Sequence, residues 1–402
     1  MKATTRIQLS SMMFLEFFIW GAWFVTLGTF LAQHFSASGA QMGLAYETQS
    51  IGAIIAPFII GLIADRYFSA QKILGFMHLS GAALLFFVAM TSSFSAFYPL
   101  VLIYMLLYMP TLALVNTIAF KQLKDSPEKF AQIRVFGTVG WIIAGVCIGY
   151  FGWESNHQLQ NTFLLASFAS ALLGVLSFFL PDTPPSAKQE GTGLRHMIGL
   201  DALGMLRDKA YLVFFATSVL ICIPLAFYYQ NTNLFLNNIG MSGAAATMSL
   251  GQVSEILFML MLPLFLKRFG IKITLLIGIL AWVIRYVLFA YGDTGDHIWM
   301  LFVGILLHGI CYDFFFVTGQ IYTEQKAGVK NKAAAQGLIT LATYGVGMLI
   351  GFRLAGWITD TYTVAGSYQW EQIWLIPAGF AVVVLLLFII LFREKQANVS
   401  EF

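Results

Sequence analysis

The chain has 402 residues, of which 59% are hydrophobic and 10% charged, with a formal net charge of +3. A soluble domain carries about a quarter charged residues, so this sequence cannot clothe a water-facing surface and is excluded from the soluble enzymes and binding modules. No basic patch interleaved with aromatics is present, which argues against nucleic acid as a partner.

A bilayer crossing takes about twenty apolar residues. The sequence predicts about twelve such stretches, at 8–33, 42–64, 72–92, 97–120, 130–152, 160–181, 209–235, 244–266, 271–291, 298–322, 332–358 and 370–392. The first follows Lys2 and Arg6 and precedes the small residues Ser36 to Ala40, as a secretion signal would. It is too long for one and holds Glu16, so it reads as a retained span. Basic side chains beside spans stay on the cytoplasmic side. Apart from Arg134, Arg285 and Arg353, the Lys and Arg residues fall in alternate gaps or at their edges. Those gaps hold Arg66 and Lys72, then Lys121, Lys124 and Lys129, then Lys188, Arg195 and Arg207, then Lys267, Arg268 and Lys272, then Lys326, Lys330 and Lys332. The intervening gaps hold Glu154, Asp293, Asp296, Asp360, Glu371 and neutral residues, with Trp153, Trp299 and Trp370 near the outer ends of spans. Both termini are therefore expected in the cytoplasm of a multi-pass inner-membrane protein. The expected class is all-α, with two six-helix bundles at 1–181 and 209–402 and a cytoplasmic linker at 182–208.

The linker opens with Pro181-Asp182-Thr183-Pro184-Pro185, which stops the sixth helix. Its second half, Leu194 to Leu206, alternates apolar and charged residues and suits a short helix on the membrane surface. Residues 61–72 read GLIADRYFSAQK and residues 264–272 read LFLKRFGIK, a weak internal repeat of the kind two-fold transporters carry. Gly61, Asp65 and Arg66 match the loop between spans two and three of the major facilitator superfamily, to which the first half is similar. The loop's later Gly is replaced by Phe68, and its terminal basic pair is reduced to Lys72. Asp65 at a helix end can pair with Arg66 or a neighbouring helix and latch one conformation; a plain surface charge pair is the alternative.

Ionisable groups at membrane depth are costly and usually face a cavity or a partner. Here they are Glu16, Glu47, Glu255, Asp313, Arg134, Arg285 and Arg353, with His308 five residues before Asp313. Gln252 stands one turn before Glu255 on the same face, so amide and carboxylate can grip a polar solute together; an ion pair of Glu255 with a buried arginine is the rival. Asp313 lies among Cys311, Tyr312 and Phe314 to Phe316, surroundings that make proton uptake near neutral pH possible. A permanent salt bridge to Arg285 or Arg353 is the other reading. Arg134, Thr138 and Trp141 recur at one-turn spacing and form one stripe of span five. Loop positioning for Arg134 and packing for Trp141 are the simpler alternatives. Glu16, one turn before Trp20, either joins a cavity or is neutral and bonded to a neighbouring helix. Aromatics beside these groups, such as Tyr228 and Tyr229, suit a solute with a flat ring and hydroxyls. Cys147, Cys222 and Cys311 lie inside spans without metal-ligand spacing and read as packing residues.

The runs Phe17 to Gly28, Tyr108 to Phe120, Arg134 to Trp141, Leu180 to Pro185, Gly199 to Leu203, Leu250 to Leu260, Arg268 to Lys272 and Ala334 to Leu341 together resemble the nucleoside:proton symporter family of the major facilitator superfamily. The resemblance covers nearly the whole chain. It implies nucleoside contacts at Arg134, Thr138, Trp141, Gln252 and Glu255, and proton coupling at Asp313. It places His308 and Tyr312 at the family's span-ten aromatic positions, with His308 where a Tyr is expected. Span seven departs further, with Ala226 and Tyr229 where the family carries amides.

The expectation is a monomeric, proton-coupled importer of a nucleoside-like solute that works by alternating access. Glu255, Asp313 and Glu16 are its candidate proton carriers, and it needs no cofactor other than the coupling proton. A carrier of sugars or other polar metabolites is the alternative on the same fold. An enzyme is not expected: the sequence has no Walker loop, no H-E-x-x-H and no G-x-S-x-G.

Overall fold

Inside a bilayer a helix satisfies every backbone N–H and C=O within its own segment, and the described chain is almost wholly helical. The computed structural model describes residues 3–59, 68–123, 127–184 and 200–393. In chain order the helices are α1 (Ala3–Gly21), α2 (Leu27–Phe35), α3 (Gly39–Ile59), α4 (Ala70–Ala89), α5 (Phe94–Leu123), α6 (Pro127–Phe151) and α7 (Gln160–Ser177). After a 3-10 turn at Leu200–Arg207 come α8 (Lys209–Asn238), α9 (Ala244–Tyr291), α10 (Ile298–Leu306), α11 (His308–Tyr312), α12 (Thr318–Thr340), α13 (Met348–Thr361) and α14 (Trp370–Leu391). Two π-helical stretches, Asp313–Val317 and Leu341–Gly347, lie inside this run.

Among the described residues, nine helices are long and apolar enough to cross a membrane by length and composition. One of them, α9, is two rods joined at Gly270, whose φ of 72° ends the first and starts the second. Gly328, with φ 64°, divides α12 in the same way. Both breaks fall in predicted basic gaps, where a left-handed backbone favours glycine. Large apolar side chains such as Leu260, Phe168 and Phe179 are mostly exposed, as expected of faces turned to lipid.

The described chain forms two compact units, residues 1–194 with 242–249, and residues 195–241 with 250–402. In the first, α1 packs on α6, α4 on α7 and α5, and α3 on α5. Its core is aromatic, with Trp23 against Phe163 and Tyr104. In the second, α13 and α14 pack on α8, and Trp374 stacks on Tyr286 at 5.5 Å.

The structure adds detail to the predicted elements. The first predicted span is interrupted between α1 and α2. The Tyr46 hydroxyl fills the break: it donates to the Phe24 carbonyl at 3.1 Å and accepts from the Gly28 N–H at 3.0 Å. A side chain inserted into the helical ladder is a common cause of such a kink. Glu154, expected in a wet outer gap, is buried, and its carboxylate accepts the Ala245 N–H at the start of α9. Thr363–Val364 and Ser367–Tyr368 form a two-residue hairpin with Thr363 opposite Tyr368, closed by Ala365 and Gly366 at positive φ. Gln71 fastens the start of the linker: it donates to Asp182 Oδ1 at 2.6 Å and accepts the Thr183 N–H at 2.9 Å. The Gln71 bond comes first among the causes that lower the Asp182 carboxyl below its usual range. Of the expected surface helix at 194–206, the described residues form the 3-10 turn at Leu200–Arg207. The latch candidates Gly61, Asp65 and Arg66 lie outside the described residues.

Candidate functional site

In the first unit, close approach of α1 and α6 builds the site. A methyl group at Gly140 would overlap the Phe14 carbonyl oxygen, and one at Gly137 would lie 2.6 Å from the Phe17 ring. Small residues let membrane helices meet backbone to backbone. The contact brings the Arg134 guanidinium 4.0 Å above the Phe17 ring, in cation–π geometry. Trp141 meets Trp20 edge to face at 5.5 Å, and Trp20 meets Tyr108 at 5.8 Å. Arg134, Thr138 and Trp141 are all partly exposed on α6, so a cation, a hydroxyl and an indole remain available on one helix.

Glu16 lies deeper and is sealed, with no exposed surface. Thr111 donates to its Oε1 at 2.6 Å, and His78 Nε2 lies 2.9 Å from its Oε2. His78 Nδ1 in turn meets the Ser170 hydroxyl at 3.1 Å, and the Tyr108 hydroxyl donates to the Glu16 carbonyl at 2.6 Å. Of the two readings of Glu16, the structure places it in a bonded network across four helices. His78, Thr111 and Ser170 were not singled out in the sequence. A buried acid on one span and a histidine on another are the only signal, and sequence does not pair them. Glu47 is also buried.

In the second unit the site rests on the contact of α9 with α11. The Gly309 N–H donates to the Ser254 hydroxyl at 3.1 Å, and a methyl group at Gly309 would lie 2.6 Å from the Ser254 carbonyl. A methyl at Gly251 would come within 3.1 Å of the His308 Cβ. This approach sets His308 Nε2 at 3.8 Å from Glu255 Oε2. Glu255 is 17% exposed and His308 2%, so the carboxylate reaches the surface of the unit and the imidazole backs it. Gln252 is partly exposed one turn from Glu255. His308 stacks on Tyr228 at 5.1 Å and on Tyr312 at 6.0 Å. The Tyr312 and Tyr344 hydroxyls bond at 2.6 Å, and Tyr229, Tyr344 and Glu255 act on one another electrostatically.

Asp313 opens the first π-helical stretch, and Tyr344 lies in the second. Such turns recur at functional sites because they re-aim side chains. Asp313 has no exposed surface, and neither carboxylate oxygen has a hydrogen-bond partner among the described residues. The alternative of a salt bridge to Arg285 is not what the structure has. Arg285 points its Nη1 at His308 Nδ1, 3.2 Å away, and lies 3.5 Å over the Tyr228 ring. The span-seven amides are engaged in packing. Asn231 bonds Thr359 at 3.1 Å, and Gln230 in its better orientation bridges Phe352 and Gly356 of α13. Among the described residues, no group of three His, Cys, Asp or Glu side chains is placed to hold a metal ion.

Comparison with known proteins follows this geometry. The sequence profile of a family described as nucleoside H+ symporter matches residues 1–397. The chain is 45% identical to YegT of Escherichia coli (strain K12), a provisionally named nucleoside transporter, over 98% of this chain and 96% of that protein. It is 34% identical to the xanthosine permease of the same organism, over 97% of this chain and 96% of that one. The crystal structure of the nucleoside transporter NupG superposes with a TM-score of 0.88 at 32% identity, covering 97% of this chain and 100% of that one.

Proposed function

Because the chain belongs to the nucleoside H+ symporter family, we propose that it imports a nucleoside across the bacterial inner membrane by alternating access, driven by the proton gradient. The observation that carries the coupling step is Asp313, a buried carboxylate with neither oxygen bonded among the described residues. An ionised acid in that setting bears the full cost of desolvation, and a proton removes it. The protonated, loaded carrier can then reorient at lower cost than the charged one. Glu255, more accessible and electrostatically linked to Asp313, is the second carrier. Glu16 is the third candidate; its proton would compete with the bonds from Thr111 and His78.

In the first unit, Arg134, Thr138 and Trp141 are assigned to the solute. In the second, Gln252, Glu255, Tyr229, His308 and Tyr312 are. The aromatic rings fit the flat base, and the amide, acid and guanidinium fit the ribose hydroxyls and base edge. The alternation of basic gaps supports cytoplasmic termini; the chain is assigned two six-helix halves at 1–181 and 209–402, a linker at 182–208 and a monomeric state. Gly61, Asp65 and Arg66 are assigned to a conformational latch.

The test is uptake into proteoliposomes under an inward proton gradient. Uridine, adenosine and xanthosine should be concentrated, and maltose and sucrose should not compete. Competition by sugars alone would move the assignment to a sugar carrier. Asp313→Asn should bring gradient-driven accumulation down to the equilibrium level while nucleoside binding persists. Undiminished accumulation by Asp313→Asn together with Glu255→Gln would remove both from the coupling path.

A further inference from the structure

Among the described residues, Arg285 is the one arginine at membrane depth with no exposed surface. Its side chain lies flat on Tyr228, with Trp282 at 5.4 Å and Phe289 at 5.6 Å. Its Nε and Nη2 have no hydrogen-bond partner among the described residues. Tyr228 and Cys311 lie within its reach, and its Nη1 meets His308 Nδ1 at 3.2 Å.

That contact has only one chemical solution. A guanidinium has five N–H donors and no acceptor, and it stays charged. His308 Nδ1 must therefore accept. A neutral imidazole that accepts at Nδ1 carries its proton on Nε2. An imidazolium would turn an N–H toward the guanidinium N–H and add a second buried positive charge beside the first. The Nε2 so protonated is the atom that faces Glu255 Oε2. Burial falls along the series, from Arg285 at 0% through His308 at 2% to Glu255 at 17%.

We infer that Arg285 is a positioning residue that holds His308 as the neutral Nε2–H tautomer, directed at the Glu255 carboxylate. The solute-facing acid is then oriented from behind by a donor that carries no charge of its own. The 3.8 Å separation is beyond hydrogen-bond range, so the N–H acts on the carboxylate as a dipole directed at it. The groups that bear on the imidazole are Arg285 and Glu255 of α9, Tyr228 of α8 and Tyr312 of α11. Cys311 and Tyr286 also adjoin the guanidinium electrostatically. The two ring nitrogens of His308 let it accept from Arg285 on one side and present a donor on the other.

The role of the device in transport rests on the reading of Glu255 as a solute contact; the tautomer itself does not. The experiment uses the full chain in lipid nanodiscs with ring-15N histidine, and the His308→Gln spectrum identifies the His308 signals. The expected result is an unprotonated Nδ1 and a protonated Nε2 throughout about pH 5 to 8, the range in which an unperturbed histidine titrates. The opposite tautomer, or an imidazolium at neutral pH, overturns the inference without any arginine variant. In Arg285→Gln, whose amide can accept as well as donate, the opposite tautomer should appear, whereas Arg285→Lys, which still only donates, should keep the Nε2–H form; an undiminished Nε2–H form in Arg285→Gln overturns the inference. Uridine binding should weaken in Arg285→Gln and recover in Arg285→Lys; unchanged binding in Arg285→Gln removes the positioning role. Recovery with the conservative donor is what a loss of packing alone would not give. Should the wild-type protein bind no nucleoside, the functional reading fails while the spectra still decide the tautomer.

Discussion

Glu16, His78, Thr111 and Ser170 form a buried polar network in which both carboxylate oxygens are occupied. Breaking a buried pair from one side leaves an uncompensated partner and costs about 3 to 5 kcal/mol. Glu16→Leu should therefore lower the thermal stability of the purified protein by about that amount. Glu16→Gln should lose far less, since an amide can still accept from Thr111 and donate to His78. Equal losses in the two would show that the network contributes little. Gradient-driven uptake by Glu16→Gln then decides whether the acid carries protons. Residue identity made Glu16, Glu255, Asp313 and Arg134 visible from the start, because lipid rejects such groups. It could not say which acid is bonded and which is bare. Asp313 and Arg285 stand 28 positions apart on neighbouring segments, yet Arg285 turns to His308. Only side-chain direction settles that choice.

At the scale of elements, helices stand at the predicted places because apolar runs with basic or glycine-rich gaps leave little alternative. The departures are local: the kink filled by Tyr46, the two π-helical stretches and the short hairpin. Each depends on a partner far away in sequence or on one extra residue in a turn, which a hydropathy pattern does not register. The α9–α11 contact through Ser254 and Gly309 is such a feature, and it sets the distance from His308 to Glu255. Gly309→Val should force the helices apart, at about 1 to 3 kcal/mol, and weaken uridine binding more than Gly379→Val, since nothing lies within 4 Å of a methyl at Gly379. Equal binding by the two variants would detach the site from this contact. The start of α8 offers a pH test. Asp208 accepts the Ala210 and Tyr211 N–H groups at 2.8 and 3.1 Å and pairs with Lys326 at 3.1 Å. The Tyr211 bond, then that of Lys326, hold its carboxyl below the usual range. The sign follows: this stabilisation is complete above the unfolded carboxylate value of about 3.9 and fades as pH falls through the lower folded value. Asp208→Ala should cost about 1 kcal/mol at neutral pH, and the difference from wild type should shrink as the solution is acidified below the carboxylate range. A difference that persists there would show that the cap acts through packing and not through charge.

For the whole molecule, the alternation of basic gaps predicts which loops face which side. A single cysteine at Ser95 should react with a membrane-impermeant maleimide in intact cells, and one at Arg207 should react only after the cells are opened. Both positions are exposed, and two of the three native cysteines are buried. The reverse pattern would invert the orientation. The family rests on short runs spread over nearly the whole chain, which the sequence records directly. Composition and periodicity alone determined that this protein lives in a bilayer as a series of helices carrying a few costly charges. The tertiary structure alone decided how those charges are arranged: Glu16 bonded on both oxygens, Asp313 bare, and Arg285 committed to His308. The physical reason is range. A helix is dictated by neighbours a few residues away, whereas the state of a buried charge depends on atoms within about 4 Å that the chain delivers from helices many tens of residues apart.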